Sequence, residues 1–99
     1  MGTSVPNANP LASAVQVTES ELSVALKDGR SISVPLAWFP RLLHGTAEER
    51  QNWELLGDGE GIHWPDLDED ISVEGLLLGL PSRESQRSLG QWLAKRSRK

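Results

Sequence analysis

Apolar and polar residues alternate along the first third of the chain. Val15 and Val17 are separated by Gln16 and followed by Thr18. Leu22, Val24 and Leu26 are interleaved with Ser23 and Ala25, and Ile32 and Val34 repeat the pattern. A period of two marks a strand with one buried face, so three strands are predicted. The short polar link Thr18–Glu21 makes a hairpin of the first two. Asp28-Gly29 predicts a type I′ turn between the second and third, because both central residues of that turn need positive φ. Pro35 cannot donate to a ladder and closes the third strand. The result is an antiparallel meander with one apolar face.

The period then changes. Trp38, Phe39, Leu42 and Leu43 fall at helical spacing, which predicts about two turns over Ala37–Leu43, with Pro40 in the first turn. Gly45 ends that helix. Thr46-Ala47-Glu48-Glu49 is a capping-box pattern opening a short helix over 47–52. Trp53–Leu56 and Ile62–Trp64 flank a glycine-rich turn and predict a second hairpin. Pro65 stops the second strand, and the acidic run after it reads as a loop leading to a short helix capped by Ser72. Leu76, Leu77, Leu78 and Leu80 supply the apolar side of that helix, which Gly79 and Pro81 end. Ser82–Arg96 predicts a last helix, with Leu89, Trp92 and Leu93 on one face and Gly90 weakening it by about 1 kcal/mol relative to alanine. The fold class is a small α+β domain: a three-stranded antiparallel meander, short helices, a second hairpin and a C-terminal helix. The organisation reads as a disordered segment over 1–13, the domain over 14–81, and a basic helix and tail over 82–99.

Composition sharpens this reading. Ninety-nine residues make one domain. There is no cysteine, so neither disulfides nor thiolate sites exist. No run approaches the ~18 apolar residues of a membrane span, and the N-terminus lacks the pattern of a secretory signal. A cytoplasmic, bacterial-type protein is expected. The net charge of −4 hides a split. Residues 1–81 carry four basic residues against thirteen acidic ones, a balance of −9, whereas residues 82–99 carry six against one, a balance of +5. An acidic body with a basic tail predicts either a nucleic-acid-seeking tail or a tail that docks on its own body or on a second copy.

The densest stretch of ionisable groups is Gly61–Ser72. Asp66, Asp68 and Asp70 alternate as at the start of a calcium loop, but Ile71 stands where the sharp-turn glycine belongs and Leu77 where the bidentate glutamate belongs. No metal site and no cofactor are expected. His63 and Glu54 would face one another across the second hairpin, an arrangement that general acid–base chemistry requires but that is more often a surface pair. No catalytic residue is assigned. Trp38 and Phe39 are adjacent and cannot share one helix face; a bulky residue folded down on the sheet edge is the expectation, and an exposed aromatic next to Arg41, where aromatics and arginine suit a partner, is the alternative. The candidate partner-binding residues are Trp38, Arg41, His63, Asp66, Asp68 and Asp70. Lys95, Arg96, Arg98 and Lys99 are the candidates for phosphate contact in the alternative, nucleic-acid reading.

Two ordered segments carry a resemblance to a known family. They are Leu26-Lys27-Asp28-Gly29-Arg30 running through Pro35-Leu36-Ala37-Trp38-Phe39-Pro40-Arg41-Leu42-Leu43, and Gly61-Ile62-His63-Trp64-Pro65 running through Asp68-Glu69-Asp70-Ile71-Ser72. Over about residues 14–80 the chain resembles the bacterial family of domains of unknown function numbered 2442. The resemblance implies a small mixed α/β domain whose partner is a small protein encoded by a neighbouring gene, in a toxin–antitoxin-like pair. It supplies no catalytic residues. Some relatives fuse the domain to a helix-turn-helix, for which the basic tail here is too short. The expected function is therefore a non-enzymatic protein-binding module, the antitoxin-like member of a two-gene system, with nucleic-acid binding through the tail as the alternative.

Overall fold

The computed structural model describes residues 10–97, which form two three-stranded antiparallel sheets, short helices and a C-terminal helix. The first sheet holds β1 (Ala12–Val17), β2 (Glu21–Leu26) and β3 (Ser31–Pro35) in that order. Val17, Leu22 and Val34 align across it, as do Val15, Val24 and Ile32. Alternation sends these residues to one face and leaves Gln16, Ser23, Ser33, Ala14 and Ala25 on the other. β1 begins inside the segment expected to be disordered. Ala12 is buried, and a register shift between Ala12 and Ala14 lets both lie in the strand. The rest of that expectation, residues 1–9, lies outside the described residues.

The Asp28-Gly29 turn exists but is not type I′. Gly29 has φ 100, whereas Asp28 is not among the positive-φ residues. The Asp28 carboxylate accepts from the Arg30 backbone N–H at 3.0 Å and from Arg30 Nε at 2.8 Å. That local bonding holds Asp28 in a negative-φ turn, and glycine alone supplies the left-handed residue.

The expected two-turn helix is broken. A 3-10 turn over Leu36–Trp38 is followed by α1 (Pro40–His44), with Phe39 at φ −127, ψ 87 between them. A residue before proline is driven out of the helical region by the ring, so Pro40 opens a new helix at its first position. Phe39 turns inward and is buried, while Trp38 is half-buried against the core. The capping box is present in full: Thr46 accepts from Glu49 N–H, Glu49 accepts from Thr46 N–H, and α2 (Ala47–Gln51) follows.

The second sheet has one strand more than the sequence predicts. β4 (Glu54–Leu56), β5 (Gly61–Trp64) and β6 (Glu69–Ser72) pair in chain order. The acidic run is therefore a tight turn over 65–68 and then a strand, not one loop. Asp68 takes the left-handed conformation, φ 51, that makes the turn; aspartate tolerates it better than most side chains. Trp64, Leu67, Ile62 and Val73 are fully buried where the sheets and helices meet, and the Trp64 indole N–H donates to the Arg50 carbonyl at 3.0 Å. Ser72 caps α3 (Val73–Leu77) by accepting from Gly75 N–H at 3.0 Å, as expected. Only Val73 and Leu76 of that helix are buried. Five helical residues make a single i, i+3 stripe, so Leu77, Leu78 and Leu80 fall outside it and remain exposed.

The C-terminal helix, α4 (Gln86–Arg96), starts four residues later than expected, with Ser85 as its cap. It lies against the body, and Trp92 packs on the core. Among the described residues no helix is long and apolar enough to cross a membrane.

The two sheets are joined at Gly59. The Ala12 N–H donates to the Gly59 carbonyl at 2.8 Å. Gly59 has φ 111, and a Cβ there would collide with the backbone of Ala12. Gly29 shares the unusual φ but has open space around it. Gly59→Ala should therefore lower stability more than Gly29→Ala, the latter carrying only the conformational cost of about 1–2 kcal/mol. Urea unfolding of the two variants measures the difference; equal losses would show that the sheet junction yields freely.

Candidate functional site

The turn between β5 and β6 faces a guanidinium. Arg41, on α1, points its side chain across this turn and is only 15% exposed. Its Nη1 donates to the carbonyls of Leu67 at 3.4 Å and Asp68 at 3.1 Å, and lies 3.5 Å from the Asp68 carboxylate. Its Nε and Nη2 form a fork on Glu84, with distances from 2.6 to 3.0 Å. Glu84 is 9% exposed and also accepts from the Ser88 hydroxyl at 2.8 Å. Such two-point arginine–carboxylate pairs are geometrically demanding and stronger than neutral hydrogen bonds. Each charge moves the other: Arg41 holds the Glu84 carboxyl below its usual range, and Glu84 raises Arg41 further.

The Arg41 guanidinium also lies over the Trp92 ring, 5.1 Å from its centre, and Arg96 lies 4.7 Å from the same ring. Arg96 in turn forks on Glu49, with Nη2–Oε1 at 2.7 Å and Nη1–Oε2 at 3.1 Å. One tryptophan is thus held by two arginines, each paired to a carboxylate. Arg96 lowers the Glu49 pKa, with the Thr46 N–H of the capping box adding to the effect.

The sequence-predicted partner residues divide into separate pairs. Asp68 meets Arg41. The His63 ring Nδ1 bonds Asp70 across the β5–β6 ladder rather than Glu54, although Glu54 does pair with His63 in the backbone register. The Asp70 carboxylate beside it holds the His63 imidazole above its ordinary value, against the opposing effect of desolvation. Asp66 accepts from the Asn52 side-chain amide at 2.9 Å. Trp38 gives its carbonyl to Ser82 N–H at 2.9 Å. The three aspartates thus face three different donors, and among the described residues no cluster of three or more metal-ligating side chains forms. Of the tail candidates for phosphate contact, Arg96 pairs with Glu49 and lies over Trp92. Lys95 is exposed, and Arg98 and Lys99 lie outside the described residues.

Glu49, Glu69, Glu84 and Trp92 were not among the candidates. A signal for two of them was present in the spacing: Glu84, Ser88, Trp92 and Arg96 recur every four residues, with opposite charges at the two ends of the series, although Glu84 lies just before the cap of α4. Glu69 has a different origin. It pairs with Trp64, and two-residue alternation places it on the same side of the sheet as Ile71 and Ile62. Burial there pushes its carboxyl up to about 7, reinforced by Glu84, Asp70 and Asp68 and opposed by Arg41. Glu69 lines an open groove of about 280 Å³ with Phe39, Ile71, Leu80, Ser82 and Arg83.

The family described as protein of unknown function (DUF2442) matches residues 12–82. A crystal structure of a protein of unknown function from Rhodospirillum rubrum is similar over 78% of this chain and 95% of its own, at 26% identity and a TM-score of 0.67. The solution NMR structure of an uncharacterised protein from Chromobacterium violaceum is similar over 87% of this chain and 75% of its own, at 25% identity and a TM-score of 0.62. No protein of curated function matches the chain.

Glu69 generates a pH prediction. Its folded value of about 7 lies above its ordinary 4.5, so the folded chain holds this proton more tightly than the unfolded one. Stability from this group is therefore full below about pH 4.5 and falls as pH rises through 7. Glu69→Gln removes the titration. Between pH 5 and pH 8 the wild type should lose about 1–3 kcal/mol more than the variant. Denaturant melts across that range test this, and superimposable profiles would mean that Glu69 ionises at its ordinary value in the folded protein.

Proposed function

The chain belongs to the DUF2442 family, and from that premise we propose that it is a cytoplasmic, non-enzymatic protein-binding module, the antitoxin-like member of a two-gene bacterial system. The observation that carries this reading is the apolar knob at the end of α3. Leu77 is 39%, Leu78 67% and Leu80 47% exposed within one turn of chain. Leu80 also lines the groove that holds Phe39 and Glu69. Single exposed leucines are ordinary, but three together beside an open groove favour a partner surface. The ionisable groups support the same reading. Arg41 with Glu84 and Arg96 with Glu49 are tied into internal pairs, and among the described residues the His63–Asp70 pair has no third group hydrogen-bonded to it that would make it a proton-transfer site.

The knob is proposed to seat on the product of the adjacent gene. Leu78 is the most exposed of the three and contributes nothing to the core. Fully covering a leucine is worth about 1.5–3 kcal/mol, roughly ten- to a hundred-fold in Kd. Leu78→Asp should weaken the complex by at least that factor while leaving thermal stability unchanged. Titration of the purified neighbouring-gene product into wild type and variant provides the measurement. Absence of a complex with the wild type, or equal affinity for both, would reject the proposal.

A further inference from the structure

The surface beneath α4 is built by the domain, not by α4. Arg41 and Glu49 lie within the family-matched residues 12–82, whereas Glu84, Ser88, Trp92 and Arg96 lie beyond them. Both receiving charges are oriented by the domain's own backbone. The Leu67 and Asp68 carbonyls fix the Arg41 guanidinium. The Thr46 N–H fixes the Glu49 carboxylate through the capping box at 2.9 Å. A cationic fork and a carboxylate are therefore preset, and the Trp92 ring lies 5.1 Å from the first.

The strip that fills this surface is held in a particular way. Its contacts with the domain are two ion pairs and the Trp92 ring, which lies against the Arg41 guanidinium and packs on the core, while the Ser88 hydroxyl holds the strip's own Glu84. No residue of α4 is fully buried. Gly90 interrupts it, and the connection over 78–85 has no regular structure apart from its cap. Preset receivers favour binding because little ordering is left to do. A short helix with no fully buried residue is the kind of element that opens below the global unfolding free energy.

We propose that the Arg41–Glu49 surface is a docking site for an amphipathic partner helix, and that α4 occupies it in cis as an autoinhibitory strap. The partner chemistry is set by charge complementarity: a carboxylate, an aromatic ring eight residues on and an arginine four residues after that, with a small hydroxyl between them to hold the carboxylate. The carboxylate meets Arg41, the aromatic lies under its guanidinium, and the arginine meets Glu49. This site does not use the Leu77, Leu78 or Leu80 side chains, so it stands whether or not they bind a partner.

The test uses the full chain and a fluorescein-labelled peptide of residues 82–97. In the double variant Trp92→Ala/Arg96→Glu the strap loses its ring and meets Glu49 with a like charge. Fluorescence anisotropy should show this variant binding the peptide at least tenfold more tightly than the wild type, whose own α4 blocks the surface. Adding Glu49→Arg to the double variant should return the peptide to wild-type weakness. Amide exchange must show the β-strands of the double variant as protected as in the wild type. If those strands are unprotected, Arg96→Glu alone provides the released chain for the same titration. Equal binding to wild type and released chain, no binding to either, or binding indifferent to Glu49→Arg would overturn the proposal. So would a wild-type dimer in sedimentation that Arg96→Glu abolishes, since a second copy would then be the occupant.

Discussion

A guanidinium withdrawn from water must find acceptors for its donors, and in this protein Arg41 is placed under that requirement. The side chain leaves a five-residue helix and ends where α1, the β5–β6 turn and the approach to α4 meet. Each acceptor comes from a different part of the chain. The Leu67 and Asp68 carbonyls belong to the β5–β6 turn, and Glu84 belongs to the segment before α4. Removing any one partner would leave a charged or polar group with little access to solvent, which costs more than the bond itself contributes. The local architecture is consistent with this. Pro40 starts α1 in the position that aims Arg41, and Asp68 accepts a left-handed φ that turns its carbonyl toward the guanidinium.

The first sheet is quieter. It presents its apolar residues inward and small polar ones outward, with Ser23 and Ser33 bonded across the ladder at 2.9 Å. The charged chemistry concentrates on the second sheet, where the acidic run falls on a strand. One consequence is that alternation sorts these acids. Asp70 goes out to meet His63, and Glu69 goes in beside Trp64. Two neighbouring carboxyl groups thereby acquire opposite environments from a single backbone rule.

Much of this was readable in advance. The meander, the capping box, the Ser72 cap and the C-terminal helix follow from two-residue alternation, from Thr46 and Glu49 three apart, and from a serine before a helical run. β6 was not readable, because Glu69-Asp70-Ile71-Ser72 contains one apolar residue and no β-rich signal. Its strand character comes from pairing with β5, a tertiary effect. The break at Phe39 was available in principle, since proline restricts the residue before it. The Arg41 cluster was hidden for another reason: its partners are 26 to 51 residues away in the chain, and local pattern carries no information about which charge will meet which. The candidate list contained Arg41, Asp68 and Arg96, but assigned Arg41 and Asp68 to an outside partner and Arg96 to phosphate.

Glu49 has two duties on one carboxylate. Its Oε1 accepts from the Thr46 N–H that opens α2 and from Arg96 Nη2 at the end of α4. The start of one helix and the finish of another are thus written onto a single atom. Order at one site is felt at the other: the capping box holds the carboxylate where Arg96 meets it, and Arg96 in place narrows the remaining freedom of the rotamer that opens α2. α2 and α4 are therefore coupled through one shared carboxylate. The currency of that coupling is side-chain entropy, gathered in one rotamer.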